Sequence, residues 1–123
     1  YVDRLQIMLS DGVKTYYSPT YGGTGGGDNE WSVPTGDSVH QIQIYEAGSV
    51  NSLTFITNKG VKSSRFGGTD GTNSVLTIPD GYRIVGIFGN QGWYIDKLGF
   101  HLAKSVYANG VETIAEKELV LYE

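Results

Sequence analysis

The sequence predicts an all-β domain with a threefold internal repeat, on three observations. Apolar residues recur at every second position in short runs: Leu5, Ile7 and Leu9; Ile42 and Ile44; Leu53 and Phe55; Leu98, Phe100 and Leu102. That period of two marks a half-buried strand. Turn signals punctuate the runs at Ser10-Asp11-Gly12, Asn58-Lys59-Gly60, Pro79-Asp80-Gly81 and Asn109-Gly110. The chain also repeats itself without gaps at an offset of 45: Tyr21-Gly22-Gly23-Thr24 matches Phe66-Gly67-Gly68-Thr69, and the register continues through Pro34/Pro79, Gly36/Gly81, Ile42/Ile87, Leu53/Leu98 and Phe55/Phe100.

A partial third copy opens the chain. Val2-Asp3-Arg4-Leu5-Gln6-Ile7 resembles Val50-Asn51-Ser52-Leu53-Thr54-Phe55 and Ile95-Asp96-Lys97-Leu98-Gly99-Phe100, and Gly12-Val13-Lys14 returns as Gly60-Val61-Lys62. Three units cannot close a propeller, which takes 4–8 blades, so a threefold β body fits better. We assign one domain over residues 1–123: a partial first repeat (1–20), a second (21–65), a third (66–102) and a C-terminal extension (103–123). Within the extension, residues 111–117 read equally as a helix or an alternating strand, and Glu118-Leu119-Val120-Leu121-Tyr122 reads as a closing strand.

Composition removes several functions. A net charge of −4 argues against gripping nucleic acid through its phosphates, which needs a basic stripe. The absence of cysteine excludes disulfides, zinc thiolates, iron–sulfur clusters and cysteine nucleophiles. No apolar run approaches the ~18 residues of a membrane span, so we expect no membrane insertion by this domain. No cofactor or metal is expected. The two histidines, His40 and His101, stand at unequal repeat positions without metal-ligand spacing, and no G-x-S-x-G elbow occurs. Paired carboxylates meet only in space and stay open to this reading, although turn chemistry explains Asp11, Asp37 and Asp80.

The 18 glycines, about twice the usual ~7% share, need a positive explanation. Residues 22–27 and 67–71 are not followed by the Lys-Ser/Thr and helix of a phosphate loop, and Asp70-Gly71-Thr72-Asn73 lacks a full calcium ligand ladder. Glycine there serves a tight bend between strands or the close approach of another group. The most informative stretch is Gly89-Asn90-Gln91-Gly92-Trp93-Tyr94-Ile95-Asp96. Sugars suit such a mixture: their hydroxyls seek a carboxylate acceptor and N–H donors, and their C–H faces stack on aromatic rings. Equally, Trp93 and Tyr94 are readable as core-edge aromatics and Asp96 as a loop cap.

Over about residues 1 to 102 the chain resembles the jacalin-related lectins. The resemblance rests on residues 50–59, Phe66-Gly67-Gly68, residues 84–89, and the run from Gly92-Trp93-Tyr94-Ile95-Asp96 to His101-Leu102, in the family's order and spacing. It implies a β-prism I fold, three antiparallel sheets around a pseudo-threefold axis, and metal-free, non-catalytic binding of mannose-type or galactose-type sugars. By the family's pattern Asp96 accepts sugar hydroxyls, the N–H groups of Trp93 and Tyr94 donate, and Gly92 sets the turn. Asp3 holds the same position in the first unit, with Gly22-Gly23 as its partner loop.

Departures from the family's pattern bear on the number of sites. The glycine expected before Asp3 and the Gly-Gly loop expected opposite Asp96 are both missing, and residues 103–123 are candidates to supply the absent strands. In the middle unit Ala47 and Asn51 replace Gly and Asp, so that site is expected to be inactive, leaving one or two. Galactose-specific members depend on a terminal amine in the pocket that the bulky Tyr1 mimics poorly, so mannose-type oligosaccharides or glycoprotein N-glycans are the expected partners. A galactose-type lectin, and a structural or oligomerising prism without sugar binding, are the alternatives. The start at Tyr1 suggests an excised module of a larger secreted protein, such as a bacterial toxin or biofilm adhesin, used in adhesion or targeting.

Overall fold

A computed structural model describes residues 1–10, 15–27, 29–108 and 111–120; the turns expected at Asp11-Gly12 and Asn109-Gly110, the Gly12-Val13-Lys14 repeat, and Leu121-Tyr122 lie outside them. Among the described residues every regular element is a strand: β1 (Arg4–Leu5), β2 (Met8–Ser10), β3 (Thr15–Tyr17), β4 (Tyr21–Gly22), β5 (Val39–Glu46), β6 (Val50–Thr57), β7 (Phe66–Gly67), β8 (Thr72–Thr77), β9 (Tyr82–Gln91), β10 (Ile95–Ala108) and β11 (Val111–Val120). The stretch 111–117 is therefore strand. Glycine-rich residues 22–27 lead to no helix among the described residues.

The middle sheet is four-stranded, in the order β7-β6-β5-β8, and all its pairings are antiparallel. Its outer strands β7 and β8 belong to the following sequence repeat, so sheet and repeat boundaries do not coincide. The first sheet follows the same rule: β4 of the second repeat pairs with β1 as Arg4↔Gly22, just as β7 pairs with β6 as Ser52↔Gly67. The third sheet is β11-β10-β9. The extension enters it through β11, which runs from the Ala108↔Val111 pair to Phe100↔Val120.

The repeat survives at atomic detail. Ser18 N–H donates to the Ile7 carbonyl and its hydroxyl accepts from Ile7 N–H, both at 2.9 Å. Ser63 does the same to Phe55, at 2.8 and 2.9 Å. Each serine pins its strand where the edge ladder would otherwise end, satisfying backbone groups that are costly to leave unpaired.

One core collects residues from all three units. Val2, Val50 and Ile95 are its equivalent members, and the backbone links them: Val2 N–H donates to the Val50 carbonyl and Ile95 N–H to the Val2 carbonyl, each at 2.9 Å. Leu53, Leu98, Phe100, Ile42 and Ile87 fill the same body, with Leu5, Ile7, Tyr21 and Phe55 half-buried at its margin. The expected alternation holds at Ile42/Ile44; Leu98, Phe100 and Leu102 are buried as expected, but so is Gly99 between the first two. It fails on β6, where Asn51, Ser52 and Thr54 are buried with their apolar neighbours. Arg65 covers that outer face, donating to the Ser52 hydroxyl at 2.7 Å while its guanidinium lies 3.8 Å from the Tyr45 ring centre.

Asp37 fulfils its expected turn role. Its N–H closes the turn onto the Pro34 carbonyl, and its carboxylate accepts from Ser38 N–H (2.8 Å) and Lys59 N–H (3.2 Å). Burial pushes this carboxyl upward, but the Thr57 hydroxyl, those two N–H groups and the Lys59 ammonium outweigh it and hold it below the ordinary carboxylate range. A depressed folded-state pKa stabilises the fold above the unfolded value of about 3.9 and stops doing so as pH falls through the lower folded value. Urea unfolding at neutral pH is therefore expected to show Asp37→Asn less stable than the natural chain. The gap should shrink steadily as the pH is taken below about 4.

Candidate functional site

The residues that follow Val2, Val50 and Ile95 are Asp3, Asn51 and Asp96. The triad around the core thus delivers three equivalent polar side chains. In the two complete hairpins a β-bulge sets each one apart. Pairing passes from Glu46↔Val50 to Tyr45↔Ser52, skipping Asn51, and from Ile95↔Gln91 to Lys97↔Asn90, skipping Asp96. A bulged residue leaves the ladder and its side chain is re-aimed. This explains how Val50 and Leu53, or Ile95 and Leu98, both reach the core at a spacing of three.

Around Asp3 the glycine loop is complete. Gly23 N–H donates to the Asp3 carbonyl at 2.8 Å. Gly22 has φ 113° and a Cβ on it would fall 2.1 Å from the Asp3 carbonyl oxygen, so only glycine lets the two backbones meet there. Beyond it, a Cβ on Gly25 would stand 3.1 Å from Asp3 Oδ1 and one on Gly26 2.5 Å from Oδ2. The half-buried carboxylate therefore rests on a shelf of bare backbone.

Around Asn51 the same frame is filled from within. Gly67 repeats the φ of 113°, and Gly68 N–H donates to the Asn51 carbonyl at 2.9 Å. Here Asp70 takes the place of Gly25, and its N–H donates to Asn51 Oδ1 at 3.2 Å while Arg65 reaches the Asp70 carbonyl at 3.2 Å. The side chain is only 6% exposed, and its carboxamide oxygen already has its partner.

Asp96 is exposed and lies in a cleft with Glu46, Gly48, Ser49 and Lys97. No glycine pair faces it among the described residues; instead the Ser49 hydroxyl donates to Asp96 Oδ1 at 2.6 Å. The preceding loop closes when Gly92 N–H donates to the Tyr94 carbonyl at 3.0 Å, and Gly92 does this without a positive φ. Trp93 is 85% exposed, so it is not a core-edge aromatic, and Tyr94 stacks on Tyr1 with ring centres 4.6 Å apart.

Of the residues singled out by sequence, the structure brings Asp3, Gly22 and Gly23 together. Gly92, Trp93, Tyr94 and Asp96 form one loop beside them, where a Cβ on Gly23 would lie 2.3 Å from the Trp93 carbonyl oxygen. Sequence reasoning missed Gly25 and Gly26 as the shelf, Ser49 as the partner of Asp96, and Gln91, whose carboxamide oxygen accepts from Gly22 N–H. His40 and His101 stand apart, His101 against Phe88 at a centroid distance of 4.8 Å.

Three equivalent polar residues around one core, two of them set out by a bulge and two of them facing a glycine loop, mark a threefold β body of one class, and comparison with known proteins says which. Residues 1–101 match the jacalin-like lectin domain, and the chain belongs to that family. It is 29% identical over 125 residues to jacalin-related lectin 19 of Arabidopsis thaliana, covering 94% of this chain and 70% of that one. A galactose-specific lectin of Morus indica is 50% identical over 54 residues, which are 44% of this chain and 33% of that protein. Among solved structures, a mannose-binding jacalin-related lectin from Ananas comosus superposes with a TM-score of 0.68 at 29% identity, covering 83% of this chain and 74% of that chain. The family's members are non-catalytic carbohydrate-binding proteins.

Proposed function

We propose that the chain binds mannose-type sugars, free or at the ends of glycoprotein N-glycans, with Asp3 as the principal acceptor and Asp96 as a weaker second. The observation that carries this is the Asp3 carboxylate resting on Gly25 and Gly26 beside the Gly22-Gly23 turn. A carboxylate can accept from two adjacent ring hydroxyls, and a glycine shelf leaves room for a sugar ring against backbone N–H donors. The mannose-binding relative from Ananas comosus supports the choice of sugar. The galactose-specific relative from Morus indica supports the competing choice. A glycan array followed by calorimetric titration with methyl α-mannoside and methyl α-galactoside decides between them, and silence toward every saccharide on a folded sample would leave only a structural prism.

Asp96 is the weaker site in this reading because Ser49 already donates to it. A sugar hydroxyl must displace that donor. In an Asp3→Ala background, Ser49→Ala is expected to tighten mannoside binding at Asp96 about three- to tenfold, the worth of one hydrogen bond. Titration calorimetry on the pair of variants checks this. A shallow pocket binds one sugar weakly, and linked copies gain avidity; we read the module as serving adhesion or targeting within a larger secreted protein, such as a bacterial toxin or biofilm adhesin.

A further inference from the structure

We infer that Gln91, a residue of the third unit, is a positioning residue for the glycine loop of the Asp3 site; this rests on the sugar-binding reading above. Two contacts on neighbouring residues carry it. The Gln91 carboxamide oxygen accepts from Gly22 N–H, 69 positions away in sequence. Two residues further on, the Trp93 carbonyl packs so closely on Gly23 that no Cβ fits between them.

Gly22 faces two ways. As a member of β4 it pairs with Arg4, while its N–H turns away from that strand to Gln91. The following N–H, of Gly23, goes to the Asp3 carbonyl. The glycine turn is thus held from both sides, by Asp3 within its own sheet and by Gln91 from the end of β9. A glycine-rich segment has more conformations to lose than any other, so residues 22–26 need such fixing if they are to form a shelf for the carboxylate before a ligand arrives. A loop that must be ordered by the ligand binds it more weakly. The small cleft under this junction is lined by Leu5, Tyr21, Ile87, Ile95 and Leu98, with Asn90, Gln91 and Lys97 as its polar members, and of these it is the Gln91 carboxamide that reaches Gly22 N–H.

The test uses the full chain with Gln91→Leu, which keeps the side-chain bulk and removes the acceptor, and Gln91→Glu, which keeps an acceptor oxygen. Without sugar, amide exchange at Gly22 followed by NMR is expected to quicken severalfold in Gln91→Leu and to stay near the natural rate in Gln91→Glu. With methyl α-mannoside, Gln91→Leu is expected to bind about fivefold or more weakly, the loss of a fixed hydrogen bond, and Gln91→Glu to recover most of that affinity. Unchanged exchange at Gly22, or equal mannoside affinity in the natural chain and Gln91→Leu, overturns the inference. So does a Gln91→Glu chain as weak as Gln91→Leu. If exchange responds as expected but the natural chain binds no saccharide, it is the sugar-binding reading that has failed, and the positioning role falls with it.

Discussion

Asp3→Ala is expected to lose mannoside binding at the principal site while keeping its melting temperature. Hydrogen bonds to a charged group are worth about 1.5–3 kcal/mol each, so removing a carboxylate that accepts even one sugar hydroxyl weakens binding by about ten- to 150-fold. The fold survives because the structural contact belongs to the backbone: the Asp3 carbonyl accepts from Gly23 N–H, and the side chain only rests on the glycine shelf. Asp3→Asn sharpens the test. It keeps the shape, removes the charge and turns one acceptor into a donor. The chain already carries the amide version at Asn51, where the side chain's oxygen is satisfied by Asp70 N–H. Calorimetric titration of both variants beside Asp96→Ala measures how binding divides between the two carboxylates; the proposed ranking requires Asp3→Ala to lose more than Asp96→Ala.

Much of this arrangement was written in the repeat. Tyr21-Gly22-Gly23-Thr24 and Phe66-Gly67-Gly68-Thr69 fold alike down to φ values of 113° at Gly22 and Gly67, because each glycine must clear a carbonyl oxygen one strand away. Asp3 and Asp96 were legible as equivalents for the same reason. The bulges at Asn51 and Asp96 were legible in principle and missed: Val50 to Leu53 and Ile95 to Leu98 break the period of two with a step of three, which demands one extra residue if both ends are to face the core. The serines at 18 and 63, at the same repeat offset, also carried a signal, since each is the hydroxyl that caps its strand. Other features had none. Ser49 meets Asp96 across 47 residues and Gln91 meets Gly22 across 69, and neither pair shares a motif. Nor does alternation say which sheet receives an edge strand, so the exchange of β4 and β7 into the preceding units appears only in the pairing.

Phe100→Ala is expected to cost about 3–5 kcal/mol, the range for deleting a fully buried aromatic ring. Small domains have about 5–15 kcal/mol of stability in total, so this one change should take a large part of the reserve. Phe100 is 1% exposed and sits at the centre of the third sheet, pairing with Ile87 on β9 and with Val120 on β11. Its ring is held in the core that all three units share, with Leu98 and Ile87 as fellow buried members, so its removal leaves a cavity within that core. The repeat supplies the control. Phe55 holds the same position one unit earlier but is only half-buried, with its outer side covered by Trp31 at a centroid distance of 5.6 Å. Less apolar area leaves water there, at roughly 25 cal/mol per Å², so Phe55→Ala should cost clearly less than Phe100→Ala. Denaturant unfolding of the two variants measures both losses, and equal values would mean that the third unit, for all its extra strand from the extension, packs no more tightly than the second.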